Sequence, residues 1–415
     1  MTPTPRACLL LGAIAVSALV VPLALAGAAA LALAAATVVD AFAARRAPAV
    51  ERDLPSVLAR GVPAALRVRV RTAAPGSVRL RQAAVPDLAI APAVGTDSLD
   101  ATIVARRRGR HRLPGVATRG HGPLGLGRWD HRTSAPNEVR VLPDVVVARR
   151  LALAVRRGRL QEAGLRSRGP LGPGTEFERV RDYVPDDDIR LVNWRATARV
   201  GRPMSNEHRV DTERDVVCLV DAGRLMAAPL GDRTRLDAAL DAVTAVALVA
   251  DELGDRAGAI AFDAAVRARV APGRARGSAV VEALFDLEPS TLDSDYELAF
   301  RAVARAKRAF VLVLTDLLEE AAARPLVAAV PVLARRHAVA VASTTDPELG
   351  ARVATPPRAE ADVLAAAVAV DVLAARRRAA ALVRRAGAQV IEAAPGALPA
   401  ACVDAYLRAK ARLRP

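Results

Sequence analysis

The sequence predicts an α/β protein in three parts: an N-terminal transmembrane helical hairpin, a small β-sandwich-like region and a doubly wound, mainly parallel sheet. Three observations predict it. From Ala7 to Val39 no residue carries a charge, a run of 33. Between residues 61 and 143, short stretches alternate apolar and polar side chains. From Val216 onward, continuous apolar strands alternate with amphipathic helical stretches, as in sheets covered by helices on both faces.

One helix crosses a bilayer in about 20 residues, so the uncharged run is long for a single span. Pro22 and Gly27 interrupt it where a hairpin would turn. Arg6 precedes the run and Arg45 and Arg46 follow it. Positive flanks on both sides favour cytoplasmic placement of both ends. Residues 1–46 are therefore predicted to anchor the chain in the cell membrane by two helices, with the soluble domains in the cytoplasm. A cleaved signal peptide, with Ala24-Leu25-Ala26 as its small-residue site, is the competing reading. It leaves the apolar stretch from Ala28 to Val39 unexplained. Asp40 is expected at the interfacial end of the second helix.

Residues 47–60 mix Pro, Arg and acidic residues and read as a linker. Residues 61–143 form the β-rich domain. Leu66, Val68 and Val70 alternate with Arg67, Arg69 and Arg71, the period of a half-buried strand. Shorter runs at Val78–Arg81, Asp87–Ala91, Leu99–Val104 and Val139–Leu142 are separated by Pro and Gly, which suggests a small sandwich. The basic run Arg106-Arg107-Arg108-Gly109-Arg110 resembles a phosphate patch, although an exposed strand or hairpin explains it more simply. His111, His121 and His131 lack a clear acidic partner and read as surface or turn residues.

Residues 144–210 open with a basic amphipathic helix over 145–165. Residues 211–415 carry the α/β domain. Strands are expected at Val216–Val220, Ala257–Phe262, Phe310–Leu314, Ala338–Ala342 and Gln389–Ile391, with helices near Arg233–Leu253 and Glu360–Arg385 and a closing helix to about Arg412. Ligands of such sheets bind beyond the carboxyl ends of the strands. Asp221 and Asp316 stand at two such ends.

The net charge is +16, which raises nucleic acid as a partner. Residues 60–140 hold 15 Arg against 5 acidic residues, with Trp129 the only aromatic. Single-strand binding needs aromatic platforms beside its basic groove, so an anionic leaflet suits this charge better. Cys8, Cys218 and Cys402 lie far apart. They form neither a disulfide framework nor a zinc motif, and they fit a reducing compartment.

The most informative stretch runs from Gly172 to Arg209. It carries Gly172, Gly174, Glu176, Phe177, Arg181, Tyr183, Asp187, Asp188, Arg190, Trp194, Thr197, Ala198, Arg199 and Glu207 at fixed offsets. This pattern resembles the signature of the bacterial membrane-protein family of domain of unknown function 58. The resemblance extends to the hairpin, the β-rich middle and a von Willebrand factor A-like domain. By their own chemistry, Arg181, Arg190, Arg195 and Arg199 beside Glu176, Asp186, Asp187 and Asp188 can form Arg–carboxylate pairs. Trp194 and Tyr183 can cover the guanidinium planes. Two readings follow, a salt-bridged clasp or a partner- or phosphate-binding surface, and the clasp is preferred.

The resemblance also implies a metal-ion-dependent adhesion site, D-x-S-x-S, at the end of the first A-like strand. Here the residues are Asp221-Ala222-Gly223-Arg224-Leu225, so both hydroxyl positions are lost. Asp221 and Asp316 are the remaining metal candidates, with Thr291, Ser294 and Asp295 in a loop able to supply oxygen. The site is degenerate: two carboxylates could still hold Mg²⁺ weakly, but with two ligands lost no bound cofactor is expected. Asp221 and Asp316 are alternatively expected to cap helices or pair with Arg224. No nucleophile–base pair is visible, so an enzyme is not predicted. The expectation is a membrane scaffold or adaptor, with a MoxR-type AAA+ ATPase as the partner the resemblance implies. The alternatives are an envelope-associated hydrolase working at the sheet's carboxyl edge and a basic membrane-surface or nucleic-acid binder.

Overall fold

The computed structural model describes residues 1–71, 76–132, 134–157, 171–184, 192–209, 214–304, 308–318 and 320–412. It forms two compact units, Met1–Leu142 and Pro143–Pro415.

The first unit opens with two apolar helices, α1 (Pro5–Ser17) and α2 (Leu23–Ala43), joined by a turn after Ser17. Of the two, only α2 is long and apolar enough to cross a membrane. Leu19, Val20 and Leu23 at the turn are almost fully exposed. The rest of the unit is β-structure. A large antiparallel sheet includes Ala64–Val70, Val78–Arg81 and Ser98–Ala105, and a smaller sheet joins Val57–Ala59, Asn137–Leu142 and Gly109–Leu113. Leu66, Leu80 and Ile103 from the large sheet meet Leu58, Leu113 and Val141 from the small one in a single core. The alternation read at Leu66 to Arg71 is real, since Leu66 and Val68 are buried while Arg67 and Arg69 point to solvent.

Residues 47–60 are not a linker. Val50–Asp53 pairs with the strand Ala64–Val70, and Val57–Ala59 lies parallel to Asn137–Leu142. Arg52, one of the charges that suggested a linker, donates to the carbonyls of Pro114 at 2.6 Å and Ala135 at 2.9 Å. The basic run at 106–110 is split, because Arg108 turns inward and Arg110 pairs with Glu138 at 3.0 Å. Two of the three histidines meet main-chain carbonyls, His111 that of Arg107 and His131 that of Ala44.

Asp40 stands near the end of the second helix, as expected, and also bonds the β-structure. It is buried near the end of α2 and accepts from the main-chain N–H groups of Leu124, Leu126 and Gly127 at 2.7–2.8 Å. Residues just before α1 reach the same turn. The Thr4 N–H donates to Leu126 O at 2.9 Å, and its hydroxyl donates to Gly125 O at 2.6 Å. Gly127 makes this approach possible, since a Cβ there would stand 2.4 Å from the Ala41 nitrogen.

The second unit is built on a six-stranded sheet: β1 (Asp215–Asp221), β2 (Arg256–Phe262), β3 (Val266–Gly273), β4 (Ala309–Leu314), β5 (Ala338–Thr344) and β6 (Gln389–Ala393). Their order across the sheet is β3-β2-β1-β4-β5-β6, parallel except for β3. The sequence did not announce β3, an edge strand in which Arg267 and Arg269 alternate with Ala268 and Val270. Both faces are covered. Cys218, Val220 and Leu312 pack beneath α3 (Val145–Arg156), α5 (Arg235–Glu252), α6 (Gly277–Leu284) and α11 (Leu398–Arg412). Val217, Leu219 and Val313 pack beneath α7 (Tyr296–Ala304), α8 (Glu320–Ala334) and α10 (Glu360–Arg385).

Helix α5 starts at a capping box of Thr234 and Asp237, which satisfies exposed N–H groups at its start. Its apolar residues run all round the helix because it lies within the core. Helix α3 joins the same core through Ala148, Ala152 and Val155, so it belongs to the α/β unit. Of the helix predicted over 145–165, residues 158–165 lie outside the described residues.

Helix α10 has 26 residues, about 39 Å at 1.5 Å per residue. A seven-residue strand spans only about 23 Å. Buried positions on α10 begin at Ala369 and continue through Arg376, Ala379, Ala380 and Val383. Its first turns therefore stand clear of the core, with Val363, Leu364 and Val368 exposed. The short helix α9 (Pro347–Ala354), with no buried residue, accompanies them.

Candidate functional site

In a parallel sheet the chain must reverse its direction of build, and the crevice forms where it does. Here β1 leads through α5 to β2 on one side, while β4 adds on the other. The switch point lies between β1 and β4, at Asp221 and at Thr315-Asp316. Both predicted carboxylates are there, and both are buried.

Asp221 is enclosed by donors. Its Oδ1 accepts from the Ser294 hydroxyl at 2.5 Å and the Gly223 N–H at 2.8 Å. Its Oδ2 lies 2.6 Å from the Thr315 hydroxyl and 2.9 Å from that of Tyr296, which are 2.7 Å from each other. Burial, then the Asp221 charge, pushes the Tyr296 hydroxyl well above its ordinary pKa, so it stays protonated.

Asp316 faces two arginines. Arg235 Nη1 reaches Oδ1 at 3.1 Å and Arg376 Nη2 reaches Oδ2 at 3.0 Å, with the Ser343 hydroxyl at 3.3 Å from Oδ1. Both guanidiniums also donate to Thr344 O. Burial raises the Asp316 carboxyl from its ordinary value, and the charges of Arg235 and Arg376 oppose that rise.

The sequence missed five of these side chains: Arg235, Tyr296, Thr315, Ser343 and Arg376. Arg235 looked like an ordinary first-turn residue, and Arg376 is hidden in the Arg376-Arg377-Arg378 run that reads as a solvated helix face. The signal available was Thr315, directly before the acidic residue at a strand end.

Asp221 does not pair with Arg224. That guanidinium binds Asp293 at 2.5 Å, at the rim of a cleft of about 340 Å³ lined also by Leu225, Ser294 and Pro325. Of the proposed loop ligands, Ser294 meets Asp221, Asp295 caps α7 through the Leu298 N–H, and Thr291 is exposed.

A hard divalent ion needs about six oxygen ligands, and these residues do not fit one. Both oxygens of each carboxylate are already engaged by protein donors. A Cβ on Gly223, one of the lost hydroxyl positions, would fall 2.2 Å from Ser294 Oγ. Ser294 thus fills the space that side chain would need. Among the described residues, no group of three or more His, Cys, Asp or Glu side chains is placed to hold a metal.

The signature segment forms a hairpin in the same unit. Leu171–Asp182 pairs antiparallel with Met204–Arg209, and α4 (Trp194–Val200) lies between them in sequence. Gly174, Glu176 and Phe177 are on the first strand and Glu207 on the second, where Glu207 is in register with Arg179. The Arg181 guanidinium donates to Asp182 O at 3.0 Å, and the Tyr183 N–H donates to Pro203 O at 3.0 Å. Thr197 Oγ1 accepts from the Met204 N–H at 3.0 Å, tying α4 to the second strand. Trp194 is 68% exposed and Arg199 is also exposed. Asp186, Asp187, Asp188 and Arg190, on which the expected Arg–carboxylate pairs depend, lie outside the described residues.

Comparison with known proteins agrees with the signature. The family described as "Protein of unknown function DUF58" matches residues 179–389. Uncharacterized proteins of Mycobacterium bovis and Mycobacterium tuberculosis are 27% identical over 183 residues, 42% of this chain and 56% of theirs. The chain thus spans little more than half the length of these curated relatives. The family match covers half of the sequence, and the chain belongs to the family of proteins of unknown function DUF58.

Proposed function

We propose that this chain is a membrane-tethered, non-enzymatic docking protein whose second unit is von Willebrand factor A-like and offers its carboxyl edge to another protein. The observation that carries this reading is the state of the two carboxylates. Asp221 is held by hydroxyls and Asp316 by two arginines. Groups bonded in this way are poor bases and poor metal ligands, whereas catalysis needs a free acid, base or nucleophile in reach of substrate. The strand order, with an antiparallel third strand, supports the A-like assignment. Around the cleft, exposed Leu292 stands beside the Arg224–Asp293 pair, an apolar contact with a charged rim, as docking surfaces have.

Membrane attachment rests on α2 and on its uncharged neighbour α1. Thr4 and Asp40, at opposite ends of the helix pair, bind one turn at 124–127. That arrangement supports a hairpin with both ends on one side, and Arg6, Arg45 and Arg46 favour the cytoplasmic side. The partner implied by the family resemblance is a MoxR-type AAA+ ATPase, in a chaperone or assembly role.

Co-purification of the full chain with that ATPase, with and without Mg²⁺ and ATP, tests the proposal. Retention that is weakened by Leu292→Asp supports it. Turnover of a small molecule, lost in Asp221→Asn, contradicts it.

A further inference from the structure

Helix α10 carries an uncovered seam along the side opposite its buried residues. Glu360, Val363, Ala367, Val370, Ala374 and Arg377 recur at steps of 3, 4, 3, 4 and 3. That spacing holds one stripe of a helix against a partner helix. At about 100° per residue, Ala369, Arg376, Ala379 and Val383, all buried, lie on the other side. Arg376 is bound there to Asp316 at 3.0 Å, which fixes the seam outward. Val363 is 52% and Val370 49% exposed. Ala367 is exposed too, and Ala374 is half-buried.

The seam is charged only at its ends, and the ends differ in sign. Glu360 opens it and Arg377 closes it, about 26 Å apart along the helix. Both are exposed, and among the described residues neither has an ion-pair partner. The next arginine, Arg378, binds Glu320 at 2.7 Å. Asp371 lies beside the seam, at its solvent edge. Turned end for end about its midpoint, the stripe complements itself. Glu360 then faces Arg377, Val363 faces Ala374 and Ala367 faces Val370. Each Val fills the space that an Ala leaves, so the helix axes can approach to about 8 Å. A parallel pairing would instead set Glu360 on Glu360, Arg377 on Arg377 and Val on Val. An anionic leaflet or a nucleic acid gains nothing from a stripe with one charge of each sign.

We propose that α10 of one copy packs antiparallel on α10 of a second copy along this seam. The same stripe serves both copies, so the contact is isologous and closes as a two-fold dimer. A Glu360–Arg377 pair at each end fixes direction and register. Such pairs at a rim set specificity more than strength. The dimer uses none of the residues placed at the carboxyl edge, and either proposal can fail without the other.

The test uses the full chain in membrane vesicles, in two differently tagged copies that both carry Cys8→Ser. The remaining thiols, Cys218 and Cys402, are buried. One copy carries Val363→Cys and the other Ala374→Cys, and mild oxidation traps thiols that face each other. The mixed disulfide should exceed either like-with-like product at least tenfold, because like positions stand about 16 Å apart in an antiparallel pair. Glu360→Arg in the first copy should reduce the mixed yield several-fold, and Arg377→Glu added to the second should restore it. A mixed product no greater than the like-with-like products, as parallel pairing or chance collision would give, would overturn the proposal. So would a yield indifferent to the first charge reversal, or one that the second fails to restore.

Discussion

Arg235 and Asp316 form an ion pair of 3.1 Å with side chains only 5% and 3% exposed, and Arg376 completes it from another helix. Arg235 starts α5 on one face of the sheet, whereas Arg376 lies on α10 on the other. One carboxylate at a strand end thus ties both helical layers to the sheet edge. Removing one member of a buried pair leaves a charge without compensation, at about 3–5 kcal/mol. Asp316→Asn takes away the charge that both buried guanidiniums share and should therefore lower the thermal unfolding midpoint of the full chain strongly, while Arg377→Met on the exposed side should leave it nearly unchanged.

The crowded carboxylates also predict indifference to metal. A ligand that binds only the folded state stabilises it as its concentration passes Kd. Millimolar Mg²⁺ or Mn²⁺, or a chelator, should leave the unfolding midpoint where it was. A saturable rise that disappears in Asp221→Asn would show that the hydroxyls around Asp221 give way to an ion.

Asp263, between β2 and β3, predicts a pH effect. Burial pushes its carboxyl up, but the Ala265 N–H at 2.9 Å and Arg267 at 2.6 Å outweigh burial and hold it below the ordinary value. A depressed folded-state value means that its stabilisation is complete above the ordinary carboxylate pKa of about 3.9 and is lost as pH falls through the folded value. Asp263→Asn should destabilise the chain at neutral pH and flatten the loss of stability below about pH 4. An unchanged acid slope in the variant would contradict this assignment.

The membrane reading makes a prediction for the thiols. Cys218 and Cys402 are buried, and burial pushes the Cys218 thiol up to about 12. Thiolate is the reactive form, so neither should react in the folded chain. Cys8, on the apolar helix α1, is exposed. In vesicles it should resist a maleimide and react once detergent replaces the bilayer. Equal labelling before and after detergent would argue against an embedded α1.

Asp40 links these helices to the β-structure, and its three main-chain donors make it a specific anchor. Asp40→Ala leaves those N–H groups without acceptors, at about 1–3 kcal/mol for a buried group. Gly127→Ala should act alike, by a clash with the Ala41 backbone. Both should speed proteolysis of residues 1–142, and Gly12→Ala, with open space around it, should not.

What was legible in the sequence follows its periodicities. The strands β1, β2, β4 and β5 were visible as apolar runs because a central parallel strand is buried on both faces, while β6, at the far edge, showed only as the short run Gln389–Ile391. The strand β3 was not, because an edge strand alternates Arg with Ala and Val and passes for a loop. Asp221 and Asp316 could be placed at strand ends by counting. Their partners could not, since Arg235 and Arg376 come from helices 141 residues apart and only the tertiary fold brings them together. Asp40 could be placed near the helix end in the same way, but its main-chain partners, 84 to 87 residues on, appear only when the 122–127 turn is folded against it.

The central claim is that the carboxyl edge of the sheet binds a protein and performs no chemistry. Photo-crosslinking from position 292 of the full chain in membranes, with the MoxR-type ATPase present, tests it most directly. The account predicts a crosslink to the ATPase that persists in chelator and is lost in Arg224→Glu. No crosslink from this edge, together with a reaction that depends on Asp221, would contradict it.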